Sequence, residues 1–246
     1  MTLAQMQSLL TSMLNNMEST DTFYSLIFPA GGAESTSVIN QSANRLIRTA
    51  IGANKNAFGL FPELQETFNL GPTVAGTNTL TRPTNCIAIQ KIMSSQSATL
   101  PTWDTTREYT TVYMPPARFG ALTKDSNVRP DYVRIYTLIG KKIAVYPTPA
   151  AGYIDYLRLY GLKAEANLVN GSDVFVMDPD FHPLVVKLAA SDLADKMDWP
   201  DKSVRWYNEV LTELGVMLDV SGEQITGGSV DFSDVLPTRG SVYHEF

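Results

Sequence analysis

Cysteine is almost absent from this chain: Cys86 stands alone among 246 residues, so neither an internal disulfide nor a multi-cysteine zinc site can form. Histidine is nearly as scarce, with only His182 and His244, which starves a catalytic reading of its commonest acid–base group. No apolar run approaches the roughly 20 residues that cross a bilayer. The opening Met1-Thr2-Leu3-Ala4-Gln5-Met6 lacks the basic residues of a secretory signal, so the chain is expected to be soluble and unsecreted, with no membrane partner. There is no Gly-x-Ser-x-Gly elbow, no Gly-x-Gly-x-x-Gly dinucleotide turn and no Walker lysine. The segment Gly71 to Thr77 has two P-loop glycines but Thr77 where lysine must meet phosphate.

What is present is the composition of a globular protein. Hydrophobic residues make up 44% and charged residues 18%, enough to build one large core or two small ones. With no staple available, stability has to come from packing or assembly. The net charge of -6 is unevenly placed: Met1 to Gly120 is balanced at seven basic and seven acidic residues, while Asp173 onward carries fourteen acidic against five basic. Such a chain does not hold DNA phosphates by overall charge. A short basic excess runs from Lys124 to Lys163 and is expected to be a solvated face.

Periodicity predicts helices at both ends. Leu3, Met6, Leu10, Met13 and Met17 recur at helical spacing. After Gly31-Gly32, a cap at Ser35, Thr36 or Ser37 opens a second helix whose Ile39, Ala43, Leu46 and Ala50 share a face, and Gly52 ends it. Asn54 to Gly76 reads as an irregular packed loop in which Phe58, Phe61 and Phe68 anchor into the core.

The middle reads as β: a strand from Cys86 to Ile92, another from Thr110 to Met114 stopped by Pro115-Pro116, and then a meander. The meander runs from Tyr132 to Thr137, turns at Gly140-Lys141, continues from Ile143 to Tyr146 and returns from Tyr153 to Tyr160. Alternation directs Val133, Ile135 and Thr137 one way and Tyr132, Arg134 and Tyr136 the other. Beyond Asn170-Gly171 the period is helical again. A stripe of Val186, Ala189, Ala190, Leu193 and Met197 is followed, after Trp199-Pro200, by Val204, Tyr207, Leu211, Leu214 and Leu218, which predicts an antiparallel helical hairpin.

One arrangement could bind a metal. Asp178-x-Asp180-x-His182 places two hard oxygens and an imidazole on one side of an extended segment, the ligand set of a metal-dependent hydrolase. The competing reading is a helix start, with Asp178 as cap, Pro179 and Pro183 in the first turn and Asp180 favoured by the helix dipole; Asp192, Asp195 and Asp198 then line a solvated side. Capping explains these residues without a ligand, so no metal or other cofactor is expected. Cys86, inside an apolar strand, is expected to be a small buried side chain.

The last stretch, Ser221 to Phe246, opens with polar and breaking residues from Gly222 to Gly228 and then scatters apolar residues without a period. It is either an inert terminus or a strap that docks on another surface, and its apolar content favours docking. Phe232, Leu236, Tyr243 and Phe246 are the candidate anchors.

Three successive strand patterns, Tyr132-Val133-Arg134-Ile135-Tyr136, Ile139-Gly140-Lys141-Lys142-Ile143-Ala144-Val145-Tyr146-Pro147-Thr148-Pro149 and Ile154-Asp155-Tyr156-Leu157-Arg158-Leu159-Tyr160, are followed by Val174-Phe175-Val176-Met177-Asp178-Pro179. Then come the helix from Leu184 to Met197 and a helix containing Trp206-Tyr207. This order, about a third of the chain, resembles the head-to-tail adaptor, or connector, family of tailed bacteriophages. Segments 54–78 and 94–104 match no part of that pattern, and the strand count between residues 54 and 115 stays open.

The resemblance implies an α+β fold, a small helical bundle with an inserted antiparallel β region and an extended C-terminal tail. The expected layout is one adaptor domain over residues 1–220, with helices at about 2–60 and 178–218 and the β region at about 80–165. Residues 221–246 form the docking segment. The resemblance implies a non-catalytic virion protein made in the host cytoplasm, forming a homo-oligomeric ring, twelvefold in that family, in the neck beneath the portal protein. Its partners would be other copies of itself, the portal, a tail or nozzle protein, and double-stranded DNA passing through the channel without specific binding. The docking segment would reach the portal, a neighbouring subunit or the tail. Another head-completion or tail-terminator role is the alternative within the same class.

Overall fold

Residues 1–14, 33–100, 108–123 and 131–225 are described by the computed structural model, and over them the chain is mixed α+β. The chain divides into two units: one combines Met1–Leu64 with everything from Ala164 onward, and the other is Gln65–Lys163. Helices fill the first and strands the second.

In the helical unit, α1 spans Leu3–Leu14, α2 Ala33–Ala53, α4 His182–Lys196 and α5 Pro200–Ile225. The apolar face of α1 is Leu3, Met6, Leu10 and Leu14; Met13, expected on it, is only half-buried, and Met17 lies outside the described residues. In α2, Ile39, Ala43, Leu46 and Ala50 are all fully buried, as their spacing predicts. The helix starts no later than Ala33, so Ser35, Thr36 and Ser37 sit inside its first turns and do not cap it. Two of these hydroxyls instead accept hydrogen bonds from Gln7 Nε2 of α1, Ser35 at 3.2 Å and Thr36 at 2.9 Å.

The helix α4 is buried on nearly every side because α1, α2 and α5 all pack on it. Its small residues Ala189, Ala190, Ser191 and Ala194 let those neighbours approach closely. Ser191 donates to the Ser203 carbonyl at 2.8 Å and Lys187 pairs with Glu209 and Glu213, a reversed order of contacts that makes α4 and α5 antiparallel. Leu211, Leu214 and Leu218 of α5 are buried as expected, but Val204 is exposed and Ser203 takes the inner place beside Ser191. Phe58, on the 3-10 turn Lys55–Leu60, and Phe61, between it and a second turn over Pro62–Leu64, are buried here, and the Phe61 ring lies 4.9 Å from that of Phe181.

The β unit contains β1 (Gln65–Pro72), β2 (Thr79–Thr81), β3 (Cys86–Ser95), β4 (Glu108–Thr110), β5 (Val112–Tyr113), β6 (Ile135–Ile139), β7 (Lys142–Tyr146) and β8 (Tyr156–Lys163), plus the short helix α3 (Pro116–Leu122). They form two four-stranded sheets, β1-β8-β3-β4 and β2-β7-β6-β5. Both sheets contribute to one core, with Phe68, Ile92 and Leu157 from the first and Tyr136, Ile143 and Val145 from the second. All pairings are antiparallel except β5 on β6.

Four expectations are corrected here. The segment Asn54 to Gly76 is not an irregular loop, since it holds both 3-10 turns and β1, an edge strand whose only fully buried side chain is Phe68. The strand expected from Thr110 to Met114 is split. Thr111 N–H and Oγ1 both donate to the Ile92 carbonyl of the first sheet, at 2.9 and 2.8 Å, while Val112 N–H donates to the Arg134 carbonyl of the second at 2.8 Å. The chain thus changes sheets within one residue. The expected meander is also broken: β6 and β7 form the hairpin, with Gly140 at φ +58° in a two-residue turn, but β8 leaves them and inserts between β1 and β3. Tyr136 joins Val133 in the buried core, against the expected alternation, and its ring lies 5.5 Å from that of Tyr113 on the neighbouring β5.

At Gly161 of β8 the two central strands approach so closely that a Cβ would stand 2.2 Å from the Ala88 carbonyl oxygen. The register of β3 slips on either side of this point, between Cys86 and Ala88 and between Ile89 and Lys91.

Candidate functional site

The anchors read from the sequence, Phe232, Leu236, Tyr243 and Phe246, lie outside the described residues. The element leading to them is longer than its composition suggests, since α5 continues through Gly222 to Ile225. The first residues assigned to an extension are therefore helical.

Asp178, Asp180 and His182 come together as a helix start. Asp178 Oδ1 accepts from the Asp180 amide at 2.9 Å, Pro179 opens a 3-10 turn over Pro179–Phe181, and Pro183 sits in the first turn of α4. His182 turns inward and is fully buried. Its Nε2 donates to the Met177 carbonyl at 3.2 Å, which fixes the proton on that nitrogen and leaves Nδ1 to accept from the Met1 amino group at 2.6 Å. Burial, and next the Met1 ammonium, hold this imidazole below its ordinary pKa, outweighing the Met177 carbonyl and the Asp178 carboxylate. Among the described residues no group of three or more His, Cys, Asp or Glu is placed to hold a metal ion. Asp178 is thus engaged with the backbone and His182 faces the interior. Cys86 is buried, its thiol pushed up by burial against the opposing pull of Arg82.

The polar side chains that shape the surface were not evident from motifs. Before α4, the segment from Glu165 to Met177 has almost no regular structure, yet it is fixed from both sides. Asn40 of α2 donates to the Leu168 carbonyl and accepts from its amide, and Asn44, one turn on, accepts from the Glu165 amide at 3.0 Å. The buried Glu165 carboxylate accepts from the amides of Val176 at 3.2 Å and Met177 at 2.6 Å, and Asp173 accepts from those of Val169 and Asn170. Those amides hold the exposed Asp173 carboxyl below its usual range. The segment so held presents Val169, Val174 and Val176 outward.

A second outward feature belongs to the β unit. At the β6–β7 turn, Ile139 is 55% exposed beside Lys141 and Lys142. Arg82, at the end of β2, donates its amide to the Lys141 carbonyl at 3.0 Å and its guanidinium to the Cys86 carbonyl at 2.7 Å.

The polar groups described above cap and clamp the backbone, and Val169, Val174, Val176 and Ile139 face outward at a loop and a strand tip. A family model described as SU10 adaptor protein matches residues 1–230. The chain belongs to the SU10 adaptor family. No curated protein matches it. The resemblance noted from Tyr132 onward therefore extends over nearly all of this adaptor, including segments 54–78 and 94–104, which had matched no pattern. The family is one of phage head–tail adaptors, structural proteins of the virion and not a family of enzymes. Membership implies contact with other head or tail proteins. No helix among the described residues of the adaptor is long and apolar enough to cross a membrane.

Proposed function

We propose that this adaptor forms a ring, twelvefold by analogy with the wider connector family, that attaches to the portal, continues the DNA channel and receives a tail or nozzle protein in the neck of the virion. The observation that carries the reading is the family match over residues 1–230, supported by a mixed α+β fold whose helical unit is divided in sequence by a β unit. Residues 1–220 would act as one adaptor domain despite their two units. Closed rings need two different surfaces on each subunit. The acidic balance suits a channel: twelve copies of a -6 chain total roughly -72, and a wall of that sign repels DNA so that it slides.

The docking segment would begin where α5 ends, after Ile225, with Phe232, Leu236, Tyr243 and Phe246 as apolar anchors for the portal or a neighbouring subunit. All four lie beyond residue 230, where the family match stops, so their support is the apolar content of the segment itself. Ordering such a segment on contact couples its folding to binding.

Light scattering on the full chain, alone and mixed with the portal ring of the same virus, tests the proposal. A large closed oligomer, or a monomer that joins the portal stoichiometrically, supports it. A chain indifferent to the portal overturns it. A version ending at Ile225 is expected to keep its circular dichroism and lose attachment; equal attachment by that version removes the docking segment from the proposal.

A further inference from the structure

The two units of the chain differ sharply in charge. Gln65–Lys163 contains eleven Lys and Arg against six Asp and Glu, a net of +5, and the remainder holds eight against nineteen, a net of -11. An overall value of -6 conceals this opposition. The basic excess between Lys124 and Lys163, first read as a solvated face, belongs to the positive unit.

Within that unit, the β6–β7 hairpin concentrates cations at one sheet end. Antiparallel pairing places Thr81 opposite Lys142, and the Arg82 amide bonds the Lys141 carbonyl, so the backbones of Arg82, Lys141 and Lys142 lie together beside the turn. The described ion pairs engage Arg45, Arg134, Arg158, Lys187, Lys196 and Arg205, and none reaches Lys141 or Lys142. A tight two-residue turn holds the tip in a defined shape, which lowers the entropy lost on docking. Beside the lysines stands exposed Ile139.

We infer that the tip of the β6–β7 hairpin is an intersubunit contact, presenting Lys141, Lys142 and Ile139 to the acidic helical unit of a second copy of this chain. The inference rests on the ring reading and deepens it by naming a contact surface. Charge complementarity selects the partner: every copy that brings a +5 unit also brings a -11 unit, in fixed stoichiometry. The exposed isoleucine distinguishes this occupant from duplex DNA, whose phosphates satisfy lysine but offer nothing to an apolar side chain. The contact is heterologous, joining unlike surfaces, as ring closure requires. It orients and accelerates encounter while more extensive apolar surfaces supply the remaining interface.

Sedimentation velocity on the full chain tests this, comparing wild type with Lys141→Glu/Lys142→Glu at about 50 and about 500 mM salt, where screening lengths differ about threefold. Wild type is expected to self-associate at low salt and to weaken at high salt, and the variant to lose at least about tenfold in association at low salt. Lys141→Gln/Lys142→Gln, which removes charge without reversing it, is expected to fall between. Unchanged circular dichroism shows that the variants fold. Equal association by wild type and both variants overturns the inference. So does a wild type that stays single at low salt; if that chain still joins the portal, the adaptor reading stands without this contact. A random-sequence DNA duplex provides the last arm: variants that lose duplex binding but keep self-association overturn the inference and assign the hairpin to nucleic acid.

Discussion

The carboxamide of Asn40 meets the backbone of Leu168 on both sides, donating from Nδ2 to the carbonyl oxygen at 3.0 Å and receiving the amide at Oδ1 over 2.9 Å, across 128 residues of sequence. A side chain here does what a neighbouring strand does in a sheet. It joins a helix from the start of the chain to the irregular segment that precedes α4.

Asn40→Ala leaves two buried backbone groups of Leu168 without this partner, and the expected cost is about 2 kcal/mol. Urea unfolding followed by circular dichroism measures it. Amide exchange at Leu168 should accelerate in the same variant, more than exchange in the β unit. Asn40→Asp keeps the acceptor but loses the donor, so it should rescue only part of the loss.

Gly161→Ala places a methyl group against the Ala88 carbonyl oxygen, and that oxygen is held within two bulged stretches of β3. Overpacking against backbone, which cannot rotate away, is expected to cost about 3 kcal/mol. Gly120→Ala in α3, where nothing lies within 4 Å of the added carbon, is the matched control and should be close to neutral. Thermal midpoints of the two variants give the comparison.

The Glu108 carboxylate of β4 pairs with Arg158 of β8 across β3, both largely buried, and also accepts from the Tyr160 hydroxyl at 3.4 Å. Glu108→Gln removes the charge that compensates the guanidinium and is expected to destabilise by about 3 kcal/mol. Arg158→Met with Glu108→Leu should recover most of that loss, since paired apolar replacement removes both desolvation costs. A double-mutant cycle from denaturant midpoints would show the coupling.

His182 gives the fold a pH dependence with a definite sign. Its folded pKa lies below the ordinary imidazole value of 6.5, so between the two values the unfolded chain binds the proton more readily. Stability is complete above the ordinary value and falls as pH drops through it toward the folded value. His182→Gln keeps a side-chain donor for the Met177 carbonyl and removes the titration. Its thermal midpoint should vary less between pH 7 and pH 5 than that of wild type. An equal slope in both proteins would assign the acid sensitivity elsewhere.

The parts of the fold legible in the sequence were those governed by local chemistry. Leu3, Met6 and Leu10 marked one helical face, Asp178 and the prolines marked a helix start, and Gly140-Lys141 marked a hairpin turn. The strand β1 was hidden because it lies at an edge and fully buries only Phe68 of its eight residues, leaving Gln, Glu and Asn to dominate the pattern. The sheet change at Thr111 could not be read because it depends on Ile92 and Arg134, which are distant in sequence. Asn40 and Asn44 did carry a faint signal, two amides one turn apart beside the apolar face of Ile39 and Ala43, but such spacing is equally that of a wetted helix surface. The docking anchors rested on composition alone.

The division of the helical unit between the two ends of the chain bears on how it is made. A ribosome delivers α1 and α2 first, and the surface that buries Ile39, Leu46 and Leu10 is supplied by α4, more than a hundred residues later. The β unit, contiguous from Gln65 to Lys163, can close on its own core while those helices wait. During each round of synthesis the early helices therefore stand with apolar faces uncovered for several seconds, at about 5–20 residues per second. A nascent chain in that interval is a natural client for chaperones.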